Sequence, residues 1–462
     1  MKNRKYSNTE IFESLPVAEA VRVMAVPAII SQLIVLIYNI ADTFFIGLTD
    51  NPNMVAGASL ILPVFNIALS ISSLTGIGGG ALISRLLGEK NREEARKVYT
   101  FAVIFSMAAS LLFASGMAVY MDPLLRLLGT DADTYAYARG YATCVIVFGG
   151  IPTVLSNTLA ALIRSVGESG KAGFGITMGG LINIALDPLF MFVLFPRGME
   201  IIGAGAATCL SNCIVCAYFA VVLHRMGKNG GVLRFCRPGD MPTKKSVLSV
   251  FSVGLPTCIA TLLFDLDFMV IDRLMSAYGN QALAAVGIVL KAERLPLNIG
   301  IGICQGMVPI VAYNYSAGNW DRMDRVRRYS RSLGLICGAV SVALYLLFAD
   351  YIMRVFIRDA LTVALGANFL RIRALATPLM FMSFFHVHLF NGFGRGGEAL
   401  FLGVMRWVAF NIPMLFLLNK LFGMYGIVFS QVTADILTVA LSLFVYGRFE
   451  KKYLRKSEKR FT

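Results

Sequence analysis

PAIISQLIVLIYNIADTFFIG, from Pro27 to Gly47, is a nearly unbroken apolar run with an aspartate at position 42. About twenty such residues are enough for a helix to cross the ~30 Å hydrocarbon core of a bilayer. A carboxylate there costs about 2.5–3.5 kcal/mol on insertion scales and by default faces the inside of a bundle. The run therefore predicts a membrane helix whose inner face has a use for Asp42.

The rest of the chain agrees. Its 462 residues are 57% hydrophobic and 15% charged, with a mean hydropathy of +0.69, whereas soluble chains average about a quarter charged. Long apolar stretches recur at 17–46, 54–83, 98–120, 135–163, 171–195, 201–224, 246–274, 281–313, 329–349, 361–390, 398–420 and 424–447, which predicts an all-α integral membrane protein of about twelve spans. Lysine and arginine crowd RLLGEKNREEARK (85–97), residues 224–245, NWDRMDRVRRYSR (319–331) and the tail GRFEKKYLRKSEKR (447–460), all on one side. Loops on the other side, such as TDNPN (49–53), are nearly free of them, so the expectation is a multi-pass protein of a prokaryotic plasma membrane with both termini cytoplasmic. Topology accounts for the net charge of +15, and no nucleic-acid partner is expected, since the basic residues are spread over loops with no DNA-binding motif. The polar start MKNRKYSNTEIFESL predicts no cleaved signal peptide, leaving the first span as the insertion signal.

An internal repeat organises the spans. Asn91 in GEKNREEARKV and Asn319 in SAGNWDRMDRV stand 228 positions apart. Similar shifts relate Pro27 to Pro256, Gly167 to Gly394 and Asn183 to Asn411. Six spans per half is an even number, so both halves enter the membrane in the same orientation, as a parallel repeat of two six-helix bundles. The expected organisation is an N-terminal lobe over 1–224, a cytoplasmic linker over 225–245, a C-terminal lobe over 246–447 and a basic cytoplasmic tail over 448–462.

Polar residues inside the spans mark candidate sites. Along the first span, Tyr38, Asn39 and Gln32 extend a stripe from Asp42. Span five carries LINIALDPLF, in which Asn183 and Asp187 are four apart and share a face. Thr208 in span six and Asn157 in span four complete the set. Two carboxylates in a dry pocket do not both ionise cheaply, so one takes a proton or the pair captures a small cation; the bland alternative is a satisfied network that only knits helices together. Pro27 removes a backbone hydrogen bond within the first span and is a candidate hinge.

In the second half Asp265 and Asp267 point to nearly opposite faces, and Lys291, Glu293 and Arg294 lie near enough to pair with one of them or to face a substrate. The stretch TPLMFMSFFHVHLF offers Met380, Met382, Phe384, Phe385 and His386 as candidate cavity residues, since polarizable and aromatic side chains suit promiscuous pockets. Cys209, Cys213 and Cys216 read as small packing residues rather than zinc ligands. The glycine run TGIGGGALISRLLG (75–88) lacks the Lys-Ser/Thr of a phosphate loop and reads as close helix packing.

YNIADTFFIG, the basic turn LLGEKN with its counterpart YSAGN, and LINIALDP together resemble the multidrug and toxic compound extrusion (MATE) family, over nearly the whole chain. The resemblance implies two six-helix lobes around a V-shaped cleft and secondary active antiport: export of amphipathic, often cationic organic compounds against entry of H+ or Na+. It implies no enzyme activity and no cofactor beyond the coupling ion. In the branch with a first-lobe cation site, the ligating residues match Asp42, Asn183, Asp187 and Thr208, with Tyr38 and Asn157 adjoining; Asp42 and Asp187 would be the metal ligands if Na+ binds. Another branch relies on acids in spans seven and ten, where this chain has His386, His388 and Asn391 in span ten. The expected partners are small organic molecules and the lipid bilayer, and the expected state is a monomer. The rivals are a lipid-linked saccharide flippase, which would line its cleft with arginine or lysine where this chain offers chiefly Arg22, Lys291, Arg294 and Arg406, and a membrane-embedded transferase or hydrolase, for which the short loops carry no catalytic cluster.

Overall fold

The computed structural model describes residues 7–237 and 239–454; residues 455–462 of the expected tail lie outside them. Among the described residues every regular element is helical. Ten helices are long and apolar enough to span a membrane, and two bent pairs bring the number to twelve. They are α1 (Val17–Gly47), α2 (Pro52–Gly88), α3 (Arg92–Val119), the pair α4 (Ala132–Phe148 and Gly150–Ser165), α5 (Ser169–Leu194) and α6 (Glu200–Lys228). The second half repeats them as α7 (Lys244–Tyr278), α8 (Asn280–Ser316), α9 (Trp320–Phe356), the pair α10 (Ala360–Ala374 and Thr377–Gly392), α11 (Gly396–Phe422) and α12 (Met424–Lys452).

Local chemistry is repeated with the helices. The bends in α4 and α10 are 47° and 48°. Each of these helices starts from an aspartate cap, Asp131 and Asp359, which stand 228 apart. Asp131 accepts from the Thr134 amide at 2.8 Å and hydroxyl at 2.6 Å, and Asp359 from those of Thr362 at 2.9 and 2.6 Å. These bonds favour the ionised form and hold both carboxyls below the usual range. Likewise Asn91 and Asn319 cap α3 and α9, which explains why both helices begin several residues before the apolar run does.

Small residues set how closely the lobes approach. Within the first lobe α1 packs on α5, and α2 on α3 and α4; across the boundary α1 packs on α8, and α2 on both α7 and α8. A Cβ on Gly78 or Gly254 would run into backbone of the facing helix, α7 or α2 respectively, and one on Gly302 or Gly306 would meet α1 at Ile29 and Ala25. Gly88 lies as tightly against the Tyr313 carbonyl. The run 75–88 is thus a packing surface, against α4 as well as the second lobe.

All these approaches lie at one end of the molecule, the end that carries residues 7–16 and the connection 229–243. That connection is shorter than the expected 225–245, because α6 continues to Lys228 and α7 starts at Lys244. Asp42, Asp187 and Thr208 sit in the opposite half of α1, α5 and α6, away from the closed end.

Candidate functional site

The first-lobe polar group is assembled from three helices. Asn183 and Asp187 lie on one face of α5, and Asn183 Nδ2 donates to Asp187 Oδ1 at 3.1 Å. The same nitrogen reaches Thr208 Oγ1 of α6 at 3.3 Å. Asn183 and Asp187 are buried, with Asp187 at 0% exposure. On α1, Asp42 and Tyr38 come within electrostatic reach of Asp187, and a Cβ on Gly180 would touch the Tyr38 ring. Close packing of α5 on α1, with Gly180 and Gly173 at the contact, is what brings the two carboxyls together.

Three buried oxygens in this group have no hydrogen-bond partner: Asp42 Oδ1, Asn183 Oδ1 and Asp187 Oδ2. Leaving a buried acceptor unmade costs about 1–3 kcal/mol, and more if it is charged. No lysine or arginine forms an ion pair with either acid among the described residues. The group therefore fits a small hard cation or a proton: convergent oxygens, excess negative charge and no internal counter-charge.

Of the remaining candidates on this side, Asn157 turns its amide to the Thr153 carbonyl of its own helix at 2.9 Å. Gln32 is half-buried and Asn39 exposed. Pro27 sits inside the continuous α1, with the backbone of α5 at Gly173 closely against it. Tyr141 of α4, which no sequence pattern singles out, lies within electrostatic reach of Asp42, Asp187 and Tyr38; in sequence it is one aromatic among many.

The second lobe handles its acids differently. Arg373 donates to both oxygens of Glu293, at 2.8 and 2.9 Å. Arg406 pairs with Asp435 at 2.9 Å, and Gln431 also donates to Asp435, at 2.7 Å. Asn411, the repeat counterpart of Asn183, donates to Asp267 at 2.5 Å, with both guanidiniums in electrostatic reach. Glu293 thus finds its counter-charge on α10, in Arg373, and not within its own helix. Asp265 lies on α7, its side chain outside those described.

Asp267, Glu293 and Arg373 face a cavity also lined by Phe264, Trp407 and Met380. Met380 and Phe384 line an adjoining apolar cavity between α8, α9 and α10, where Arg406 lies over the Phe384 ring at 4.6 Å. Met382 and Phe385 pack instead into the core against α1 and α8. His386 is buried, its Nδ1 at 2.9 Å from the Met382 carbonyl and 3.1 Å from Ser442 Oγ. Of the basic residues a flippase would bring together, Arg22 pairs with Glu19 at 3.4 Å and Lys291 is exposed, whereas Arg294 lines the same cavity as Arg373 and Arg406 beside it is paired with Asp435.

Comparison with known proteins agrees with this geometry. The MatE family model matches the chain twice, over residues 27–189 and 256–417, at the spacing of the internal repeat. The multidrug export protein MepA of Staphylococcus haemolyticus strain JCSC1435 is 28% identical over 94% of this chain and 94% of its own length. MepA of Staphylococcus aureus strain MRSA252 is also 28% identical, over 94% and 95%. Among solved structures, the outward-facing conformation of a multidrug resistance MATE family transporter of the MOP superfamily superposes with a TM-score of 0.91, covering 98% of this chain and 99% of that one at 20% identity.

Proposed function

Since this chain belongs to the MatE family of multidrug efflux transporters, we propose that it is an antiporter exporting amphipathic, often cationic organic compounds in exchange for H+, with Na+ competing for the same oxygens. The observation that carries this reading is the contrast between the lobes. The second lobe matches Glu293 and Asp435 with its own arginines, whereas the half-buried Asp42 and the buried Asp187 stand near each other with no lysine or arginine paired to either among the described residues. An ion arriving from outside would supply the missing charge, with Asp42, Asp187, Asn183 and Thr208 as its ligands and Tyr38 beside them. For Na+ these side chains supply hard oxygens. For H+, one acid would carry the proton and could donate it to a neighbouring oxygen. The surrounding apolar helices make a doubly ionised pair costly and favour the proton.

The positively charged loops support a cytoplasmic placement of the closed end and of both termini. On that placement the lobes are shut toward the cytoplasm and the first-lobe site lies toward the outside, where an incoming ion binds. One charge moving inward gains about 2.3 kcal/mol per 100 mV, roughly fiftyfold accumulation for a neutral substrate at one-to-one exchange. With a monovalent cationic substrate the exchange is electroneutral, and only the ion's concentration gradient drives it. Small organic molecules and the bilayer are the only partners this requires, and a single chain suffices.

Efflux from cells expressing Asp42→Asn or Asp187→Asn tests the site. Each variant should insert at wild-type levels and lose export by more than about tenfold, the equivalent of one strong interaction. Wild-type efflux from both variants at matched expression would remove the first-lobe assignment.

A further inference from the structure

Two buried side chains that ion coupling leaves unused occupy equivalent positions in the repeat. Glu94 and Arg322 stand 228 residues apart. Each is the third residue of its helix after an asparagine cap, and the caps share one conformation, φ −89° and ψ 73° at Asn91, φ −88° and ψ 72° at Asn319. Each cap accepts from the amide of the residue in question, at 3.1 Å from Glu94 and 3.3 Å from Arg322. From these matched positions both side chains reach across the lobe boundary.

Glu94 holds the start of α7. Its Oε1 accepts from the Thr243 amide at 2.8 Å, the Thr243 hydroxyl at 2.9 Å and the Ser246 hydroxyl at 2.6 Å. An anion at a helix N-terminus is favoured by the open N–H groups and the helix dipole. Arg322 does the converse at the end of the short helix Asn8–Glu13. Its Nε donates to the Phe12 carbonyl at 2.6 Å, and Nη2 donates to those of Ile11 and Leu15 at 3.1 and 2.7 Å. These are carbonyls that a helix end leaves open. Asn314 donates to the Phe12 carbonyl at 3.0 Å, Tyr313 donates to Glu13, and the Phe12 and Tyr313 rings stack at 4.9 Å.

The third helix of each lobe therefore grips the segment that leads into the first helix of the other. The gripped helices belong to their own lobes. α1 is tied to α5 through Gly173 against Pro27 and through Ser169 donating to the Met24 carbonyl at 2.6 Å, and α7 is packed on α11 through Gly396 against Ser252. If the lobes rock apart at this end, neither grip survives.

We propose that Glu94 and Arg322 are paired latches of the inner gate, which hold the closed end shut and must release for the cleft to open there. This rests on reading the chain as a rocking transporter. Charge-assisted hydrogen bonds suit the task, since they are strong when dry and water replaces them once the lobes separate.

Two measurements test it, both in a chain whose eight cysteines are replaced and whose drug efflux is verified first, so that a failure of transport itself is recognised separately. Spin labels at the exposed positions of Glu89→Cys and Arg325→Cys report the distance between lobes at the closed end in nanodiscs. Glu94→Gln or Arg322→Gln should raise the ratio of long to short distances by about tenfold, as expected for a lost charge-assisted bond. In the second measurement Glu94→Cys and Thr243→Cys are joined by a short reducible thiol cross-linker. Bridging should stop efflux, and reduction should restore it. The proposal is overturned if neither glutamine variant changes the distances, or if the bridged protein exports as fast as the reduced one; a static strap gives both of those results.

Discussion

Burying a carboxylate has opposite consequences in the two lobes of this protein. Asp42 and Asp187 are held near each other without a counter-charge, so neutralising one relieves repulsion. Glu293 and Arg373 neutralise each other, so removing one strands the other, at a cost of about 3–5 kcal/mol. Thermal unfolding in detergent should separate the two cases. Asp42→Asn should melt at or above the wild-type temperature, and Arg373→Met should melt clearly below it. The double variant Glu293→Gln/Arg373→Met should recover most of the loss; no recovery would mean that the pair matters for something other than charge balance. The sequence made one of these clusters legible and concealed the other. Asn183 and Asp187 are four residues apart, and helical spacing alone puts them on one face. Glu293 and Arg373 are 80 positions apart on helices whose contact no local pattern encodes. Asp435 and Gln431 stand four apart as well, so the spacing rule that flagged α5 applied equally to α12.

At the scale of the helix, α1 combines the proline and the acid. Pro27 lies in the half of α1 that packs across the lobe boundary, and Asp42 in the half that faces the candidate ion site. A proline removes one backbone hydrogen bond and leaves α1 easier to bend there. A change of charge at Asp42 can then alter how α1 lies on α5. Pro27→Ala should slow drug turnover more than it weakens drug binding, as measured by transport kinetics alongside equilibrium binding; unchanged turnover would assign the proline to packing alone. Span number and order were readable from the apolar runs. Helix ends were less so, because Asn91 and Asn319 extend α3 and α9 into charged segments that hydropathy excludes. The bends of α4 and α10 carry no hydropathy signal at all.

The whole molecule repeats one plan twice, in caps, bends and gate positions, and departs from it at the charges. The duplication was visible in the 228-residue offsets, and the family match recurs at the same spacing. Which acids are already satisfied was not visible, since that depends on arginines arriving from other helices. That departure is what makes the first lobe the candidate for ion coupling. The most direct test is drug movement in proteoliposomes containing this protein alone, with the proton and sodium gradients imposed separately. A proton gradient without sodium should drive drug transport, added sodium should slow it, and Asp42→Asn should abolish the response. Transport driven by a proton gradient at the wild-type rate in both Asp42→Asn and Asp187→Asn would contradict coupling through the first lobe.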